Sequence, residues 1–287
     1  MLLLLSALPT FAPAPQTAAV APRAVRIMPM GDSITEWDCR MDGYTDRFDK
    51  PVAPNTAGAF VSALGGYRGF LGLMLTADEL AFDFVGSRYS CGNHEGWGGR
   101  TIEFLAGIAE DALARHRPDL VLFMGGTNDF FFAPPTGVGA NVSEAEQRLR
   151  RLLDISFHAL PNVTFLLSTV THINATRCAD YPHAPWHPPA CPATMDGAIR
   201  SFNARLPSLA AEYAARGLDV QLHDVNAVGW EDGDYWIWGI HFNSSGFEKM
   251  AGAWRTAIRA SGRVPLEGGG VGVAGTAVGC RVSAAHR

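Results

Sequence analysis

The run Val25-Arg26-Ile27-Met28-Pro29-Met30-Gly31-Asp32-Ser33-Ile34-Thr35 is almost wholly apolar as far as Met30 and then breaks into a Gly-Asp-Ser turn. It reads as a buried strand delivering a serine. Gly31 and Asp32 suit the tight backbone that turns a strand into a helix, and the carboxyl end of a parallel strand is where open α/β sheets gather their chemistry. Ser33 is therefore expected exposed at a strand tip. Gly-Asp-Ser alone also fits an ordinary surface turn, so its weight rests on what recurs downstream.

Outward from that run, strand and helix patterns alternate. An irregular Asp, Gly and Pro stretch from Trp37 to Pro54 gives way to helical spacing in 67–75, and Ala81 to Gly86 predicts a second strand. A glycine-rich loop from Ser90 to Arg100 leads into helical spacing from Thr101, presenting free N–H groups at a helix start. The third strand, Asp119 to Met124, is apolar throughout, as a central parallel strand covered on both faces would be. It ends in Gly125-Gly126-Thr127-Asn128-Asp129. A helix from Ser143 to about Leu160, a strand from Val163 to Ser168, a helix from Met195 to Arg216 and a fifth strand from Leu218 to Leu222 follow. The last unit is a loop from Asp232 to His241 and a helix from Ser245 to about Ala260, with Ser245 and Glu248 at capping-box spacing. The alternation predicts a single three-layer α/β/α domain over 22–263, with a central, mostly parallel five-stranded sheet.

Composition narrows the partners. With 47% hydrophobic and 18% charged residues, the 287-residue chain is globular, and its net charge of -5 offers no basic surface for nucleic acid. Residues 1–21 resemble a secretory signal, a leucine run followed by small residues, and the run is too short for stable insertion across a membrane. A poorly ordered tail is the alternative. Residues 264–287, rich in Gly, Ala and Val without a period, are expected to fray. Sequons at Asn141, Asn162, Asn174 and Asn243 would accept glycans only in a secretory pathway. Five cysteines cannot all pair within one chain; the expected bridges are Cys39 with Cys91 and Cys178 with Cys191, leaving Cys280 free. Cys178, His183, His187 and Cys191 also have the residue types of a zinc site, but the prolines around them favour a disulfide. There is neither a phosphate loop nor a dinucleotide fingerprint, so no cofactor is expected.

Four pieces fall at strand ends or in terminal loops, namely Gly31-Asp32-Ser33, Gly96-Trp97-Gly98-Gly99, Gly126-Thr127-Asn128-Asp129 and the segment around His241. Their order and spacing resemble the SGNH, or GDSL-type, hydrolases over roughly Val25 to Ala260. Gly66-Tyr67-Arg68, Asp83 to Ser87 and His94-Glu95-Gly96 look like the secreted carbohydrate-esterase branch, which removes acetyl groups from polysaccharides. The resemblance implies a flavodoxin-like fold, Ser33 as nucleophile, His241 as general base, and an oxyanion hole from Ser33, Gly99 and Asn128. The chemistry asks for those types independently: a hydroxyl needs a base to attack an ester, and the tetrahedral oxygen needs aimed donors. Gly99 competes with Gly96 and Gly98 for its role, and Asn128 with a turn-closing one.

The sequence departs from the family at one position. The usual triad acid stands three residues before the histidine, where this chain has Trp238. Either the Trp238 backbone carbonyl orients His241 in a dyad, or Asp234 or Asp232 reaches in. The expected activity is secreted, acyl-enzyme hydrolysis of short acyl esters on polysaccharide. The rivals are a lipase-like or lysophospholipase esterase of longer acyl chains, and a catalytically silent carbohydrate-binding relative. The aromatics Trp97, Trp236, Trp238 and Phe130 to Phe132 fit either sugar stacking or core, with core the default.

Overall fold

The computed structural model describes residues 23–37, 65–131, 141–176, 193–236 and 239–264. The signal-like residues 1–21, most of the 37–54 loop, the Pro, His and Cys insertion from 177 to 192, and residues 265–287 lie outside them.

Seven strands form the sheet: β1 Val25–Gly31, β2 Phe82–Phe84, β3 Arg88–Tyr89, β4 Asn93–Gly96, β5 Leu120–Met124, β6 Thr164–Ser168 and β7 Val220–His223. The order is β3-β4-β1-β5-β6-β7, with β2 also on β1, and every pairing except β3 with β4 is parallel. β1 and β5 are neighbours although β2 to β4 intervene in the chain. The connections from β1 and β5 therefore leave in opposite directions, and the crevice between their carboxyl ends is the switch point where doubly wound sheets bind ligands.

The five expected strands are all present, and β3 and β4 make the sheet seven-stranded rather than five-stranded, β4 lying within the expected Ser90 to Arg100 loop. β4 is polar and has no period to read. It is a strand because Glu95 and Gly96 pair with Met30 and Gly31. β2 pairs only with Val25 to Ile27, so β2 and β4 occupy the two halves of one edge of β1 with a gap between. Pro29 sits at that gap. The carbonyls of Ile27 and Gly31 accept from Val85 and Trp97 on this side, so the missing N–H of Pro29 faces the place where no strand stands, which is how a proline survives inside a central strand.

Period-two alternation divides the core. Met28, Met30, Val121, Phe123, Phe165 and Leu167 face one cluster, and Val25, Ile27, Leu120, Leu122, Met124 and Leu166 face the other. The first is covered by α3 (Ile102–His116), α5 (Val142–Ala159), α6 (Ala193–Asn203) and α7 (Leu206–Ala215). The second is covered by α2 (Tyr67–Ala77) and α8 (Ser244–Ala260), with Trp254 fully buried. Short α1 (Ser33–Glu36) and α4 (Thr127–Phe131) sit at the carboxyl ends of β1 and β5.

Three helix expectations change. The single helix over Met195 to Arg216 is two, because Pro207 lacks an N–H and its ring crowds the carbonyl four residues back, at Asn203, where α6 ends. Asn203 then pins the chain by accepting from Val170 N–H and donating to Val170 O. The helix expected from Ser143 starts at Val142 on an Asn141 cap. The cap of α8 is Asn243, accepting from Gly246 N–H, while Ser245 donates to Asp234 instead of closing a box with Glu248.

Candidate active site

Ser33 follows β1 directly, and two features fix its direction. Asp32 caps α1, its Oδ1 accepting Ile34 N–H at 3.1 Å, and the guanidinium of fully buried Arg68 donates to the carbonyls of Thr35, Glu36 and Trp37 at the far end of the same helix. Arg68 also reaches the Ser90 and Gly92 carbonyls, tying α1 to the β3–β4 turn. Gly31 and Gly96 allow that compactness. A Cβ on Gly31 would lie 2.1 Å from Met124 O, and one on Gly96 2.4 Å from Glu36 N.

Across the crevice, His241 precedes α8 in a loop held by an antiparallel bridge between Tyr235 and Phe242 and by Trp236 N–H donating to His241 O. Its ring packs 5.4 Å from that of Trp37. Ser33 Oγ lies 2.9 Å from His241 Nε2, joining residues 208 apart in the chain. Ser33 is only 8% exposed and His241 4%, so the serine is not the exposed tip expected.

The three glycines differ in their hydrogen bonds. Gly96 N–H donates to His94 Nδ1 and Gly98 N–H to Glu36 Oε2. Gly99, at φ +73°, has an N–H without a partner among the described residues. Asn128 donates one amide hydrogen to Arg100 O at 3.0 Å, and the second has no partner among the described residues. Ser33 opens α1, where first-turn N–H groups have no acceptor within the helix. His94, buried and beside Arg68 and Arg88, is held neutral, its pKa pushed down to about 2 chiefly by burial.

Neither candidate carboxylate bonds to His241. Asp234 accepts from Lys249 Nζ at 2.7 Å, Ser245 Oγ at 2.5 Å and Glu231 N–H at 2.9 Å. Burial pushes its pKa up, but these donors outweigh burial and hold it below the ordinary value. Asp232 accepts from Asn174 at 2.6 Å. Trp238 lies outside the described residues. Asp32 is buried, and desolvation, with the Asp129 charge adding to it, raises its pKa to about 6 against the hydrogen bonds of Ile34 and Thr127. Asp129 accepts from Ile102 N–H and pairs with Arg148 at 2.7 Å.

Of the aromatics, Phe130 is core, edge-on to Phe202, and Trp236 packs on Trp37. Trp97 is half-buried beneath the Arg88 guanidinium. Cys91 is buried and disulfide-bonded; the other four cysteines, and so both expected bridges and the alternative zinc set, lie outside the described residues. Among the described residues no three His, Cys, Asp or Glu side chains could hold a metal, and no helix is long and apolar enough to cross a membrane. Reading the sequence missed Glu36, Arg88 and Arg148, whose partners are set only by the fold, and gave Arg68 no task beyond resemblance.

The chain is similar to known proteins in sequence and fold. A multidomain esterase of Ruminococcus flavefaciens is 26% identical over 274 residues, covering 88% of this chain, which spans about 30% of that relative's length. The family 3 carbohydrate esterase of Clostridium thermocellum superposes with a TM-score of 0.58 at 26% identity, over 83% of this chain and 98% of its own. A carbohydrate esterase family 3 structure from Talaromyces cellulolyticus gives 0.60 at 20% identity, over 84% and 100%, and supports the fold. The model of the GDSL-like Lipase/Acylhydrolase family matches residues 30–249, taking in every turn described above, and the chain belongs to that family.

Proposed function

We propose that the chain is a serine carboxylic ester hydrolase that removes short acyl groups, acetyl above all, from polysaccharide through an acyl-enzyme. The observation that carries the reading is the 2.9 Å approach of Ser33 Oγ to His241 Nε2 at the switch point of the sheet. Ser33 Oγ attacks the ester carbonyl carbon while His241 Nε2 takes its proton. The carbonyl oxygen, now negative, accepts from Ser33 N–H, Gly99 N–H and the free hydrogen of Asn128. When the tetrahedral intermediate collapses, the bond to the sugar oxygen breaks and His241 returns the proton to that oxygen. Water then repeats the sequence on the acyl-serine, releasing the acid. A neutral imidazole with its free nitrogen toward Ser33 needs an acceptor for its other hydrogen. We assign that task to the Trp238 backbone carbonyl, since Asp234 and Asp232 are engaged with other donors.

Polysaccharide as substrate, and export directed by 1–21, follow the likeness to the Clostridium thermocellum carbohydrate esterase and the signal-like composition of that segment. The test is a series of p-nitrophenyl esters of increasing acyl length beside acetate release from acetylated xylan. The expected result is a kcat/KM greatest for acetyl and falling with length, with acetate released from the polymer. A preference for long acyl chains would replace the reading with a lipase-like one. An inert protein that still binds xylan would replace it with the non-catalytic one.

A further inference from the structure

The three proposed oxyanion donors come from three separate segments, yet the tetrahedral oxygen requires them at fixed mutual positions. Gly99 is the vulnerable one. It lies in a glycine loop at φ +73°, and a Cβ there would meet nothing within 4 Å, so its own packing does not hold it. Its neighbours on both sides are anchored instead. Arg100 O accepts from Asn128, which ties the loop to the second donor's side chain. Gly98 N–H donates to Glu36 Oε2 at 2.7 Å, which ties it to the last residue of the four-residue helix that begins with Ser33.

Glu36 is itself fixed. Its carbonyl accepts from Arg68 at 2.9 Å, its second carboxylate oxygen pairs with Arg88 at 2.7 Å, and the Arg88 guanidinium lies 4.6 Å over the Trp97 ring, in the residue before Gly98. The Glu36 side chain is 19% exposed and that of Arg88 34%. An ion pair this accessible is worth little to stability by itself. What distinguishes it is the backbone N–H that the carboxylate also holds, one residue from a proposed donor.

We propose that Glu36, braced by Arg88, is a positioning residue for the ester hydrolysis read above: it sets Gly99 N–H against Ser33, so that two of the oxyanion donors move as one body. The inference rests on that reading. Small displacements of such donors are costly in rate, on the order of 10^2 for about 1 Å, because the donor must meet the oxyanion rather than the ground-state carbonyl.

The test compares Glu36→Asp, Glu36→Gln and Glu36→Ala for kcat, KM, melting temperature, and inhibition by a trifluoromethyl ketone, which forms a tetrahedral adduct on a serine hydroxyl. Aspartate keeps the charge but falls one methylene short of Gly98, and glutamine keeps an acceptor at full reach. Glu36→Asp should lower kcat by about tenfold and Glu36→Ala by about 10 to 100-fold, with KM within about twofold and ketone binding weakened in step. Glu36→Gln should stay within about threefold of the parent. If Glu36→Ala fails to fold, the Asp and Gln pair decides the matter. Aspartate and glutamine variants that both turn over at the parent rate, or that differ only in melting temperature, overturn the inference while leaving the esterase reading intact. A parent protein without esterase activity, or full activity in Ser33→Ala, overturns the reading and the inference with it.

Discussion

The two halves of the Ser33–His241 pair are built by different means. The serine turn is held by polar bonds onto backbone: Asp32 on Ile34 N–H, Arg68 on three successive carbonyls, and glycines where strand and helix touch. The histidine loop has backbone bonds of its own, from Trp236 N–H to His241 O and from Asn243 N–H to Asp234 O, but its side chains hold it mainly by rings and one carboxylate. Trp37 packs on Trp236, His241 and Phe247, Tyr235 and Phe242 stack at 4.8 Å, and Asp234 caps the turn. Directional bonds fix a position to tenths of an ångström, whereas packed rings fix a surface and leave the ring plane to whatever meets the far nitrogen. In the proposed reaction the serine must attack along one line and needs the first kind, and a base that carries a proton from Oγ to a leaving oxygen can use the second.

Removing the hydroxyl is the strongest test of this contrast. Ser33→Ala should lower kcat by about 10^4 to 10^6 with the melting temperature unchanged, because the turn is held by its neighbours' bonds and not by Oγ. An organophosphonate should label Ser33 alone. On the histidine side, Asp232→Ala and Asp234→Ala should each lower kcat less than about tenfold, but Asp234→Ala should also cost roughly 1–3 kcal/mol of stability, since Lys249, Ser245 and Glu231 N–H lose their shared acceptor. A kcat loss near 10^4 in either variant would show a displaced triad and make the two sides more alike than described.

A further test probes the polar side through pH. Because the folded protein holds the Asp32 proton up to about pH 6, against an ordinary carboxyl near 4, ionising Asp32 costs stability progressively as pH rises from about 4 to about 6 and fully above it. Asp32→Asn keeps the acceptor for Ile34 N–H and cannot ionise. Its melting temperature relative to the parent should therefore climb across that window and then level off, with a total gain on the order of 3 kcal/mol from the two-unit shift. A difference that does not change with pH would mean that the carboxyl is solvated.

Much of the architecture was legible because its signals are local. β1, β5 and β6 are short apolar runs that can be buried only on two faces, and Gly-Asp-Ser and Gly-Thr-Asn-Asp mark the tips of two of them. β4 was not legible, since Asn93-His94-Glu95-Gly96 becomes a strand only by pairing with Met30 and Gly31. The break before Leu206 is written in Pro207, but the strong helical period around it masks that signal. Which of the three glycine N–H groups are already engaged depends on the fold, and Glu36 is three residues from Ser33 yet carries no pattern that points to Gly98. Such facts belong to contacts between segments, which no single stretch of sequence contains.

The proline in β1 has a bearing on fidelity during folding. Were β4 to slide two residues toward the amino end of β1, its acceptor would meet Pro29, which has nothing to donate, and a one-residue slide would turn every side chain of β4 to the opposite face. Pro29 thus offers β4 no donor in the slipped register. That register leaves Gly98 and Gly99 level with the serine turn, so a residue with no part in the chemistry disfavours one alternative spacing of the crevice.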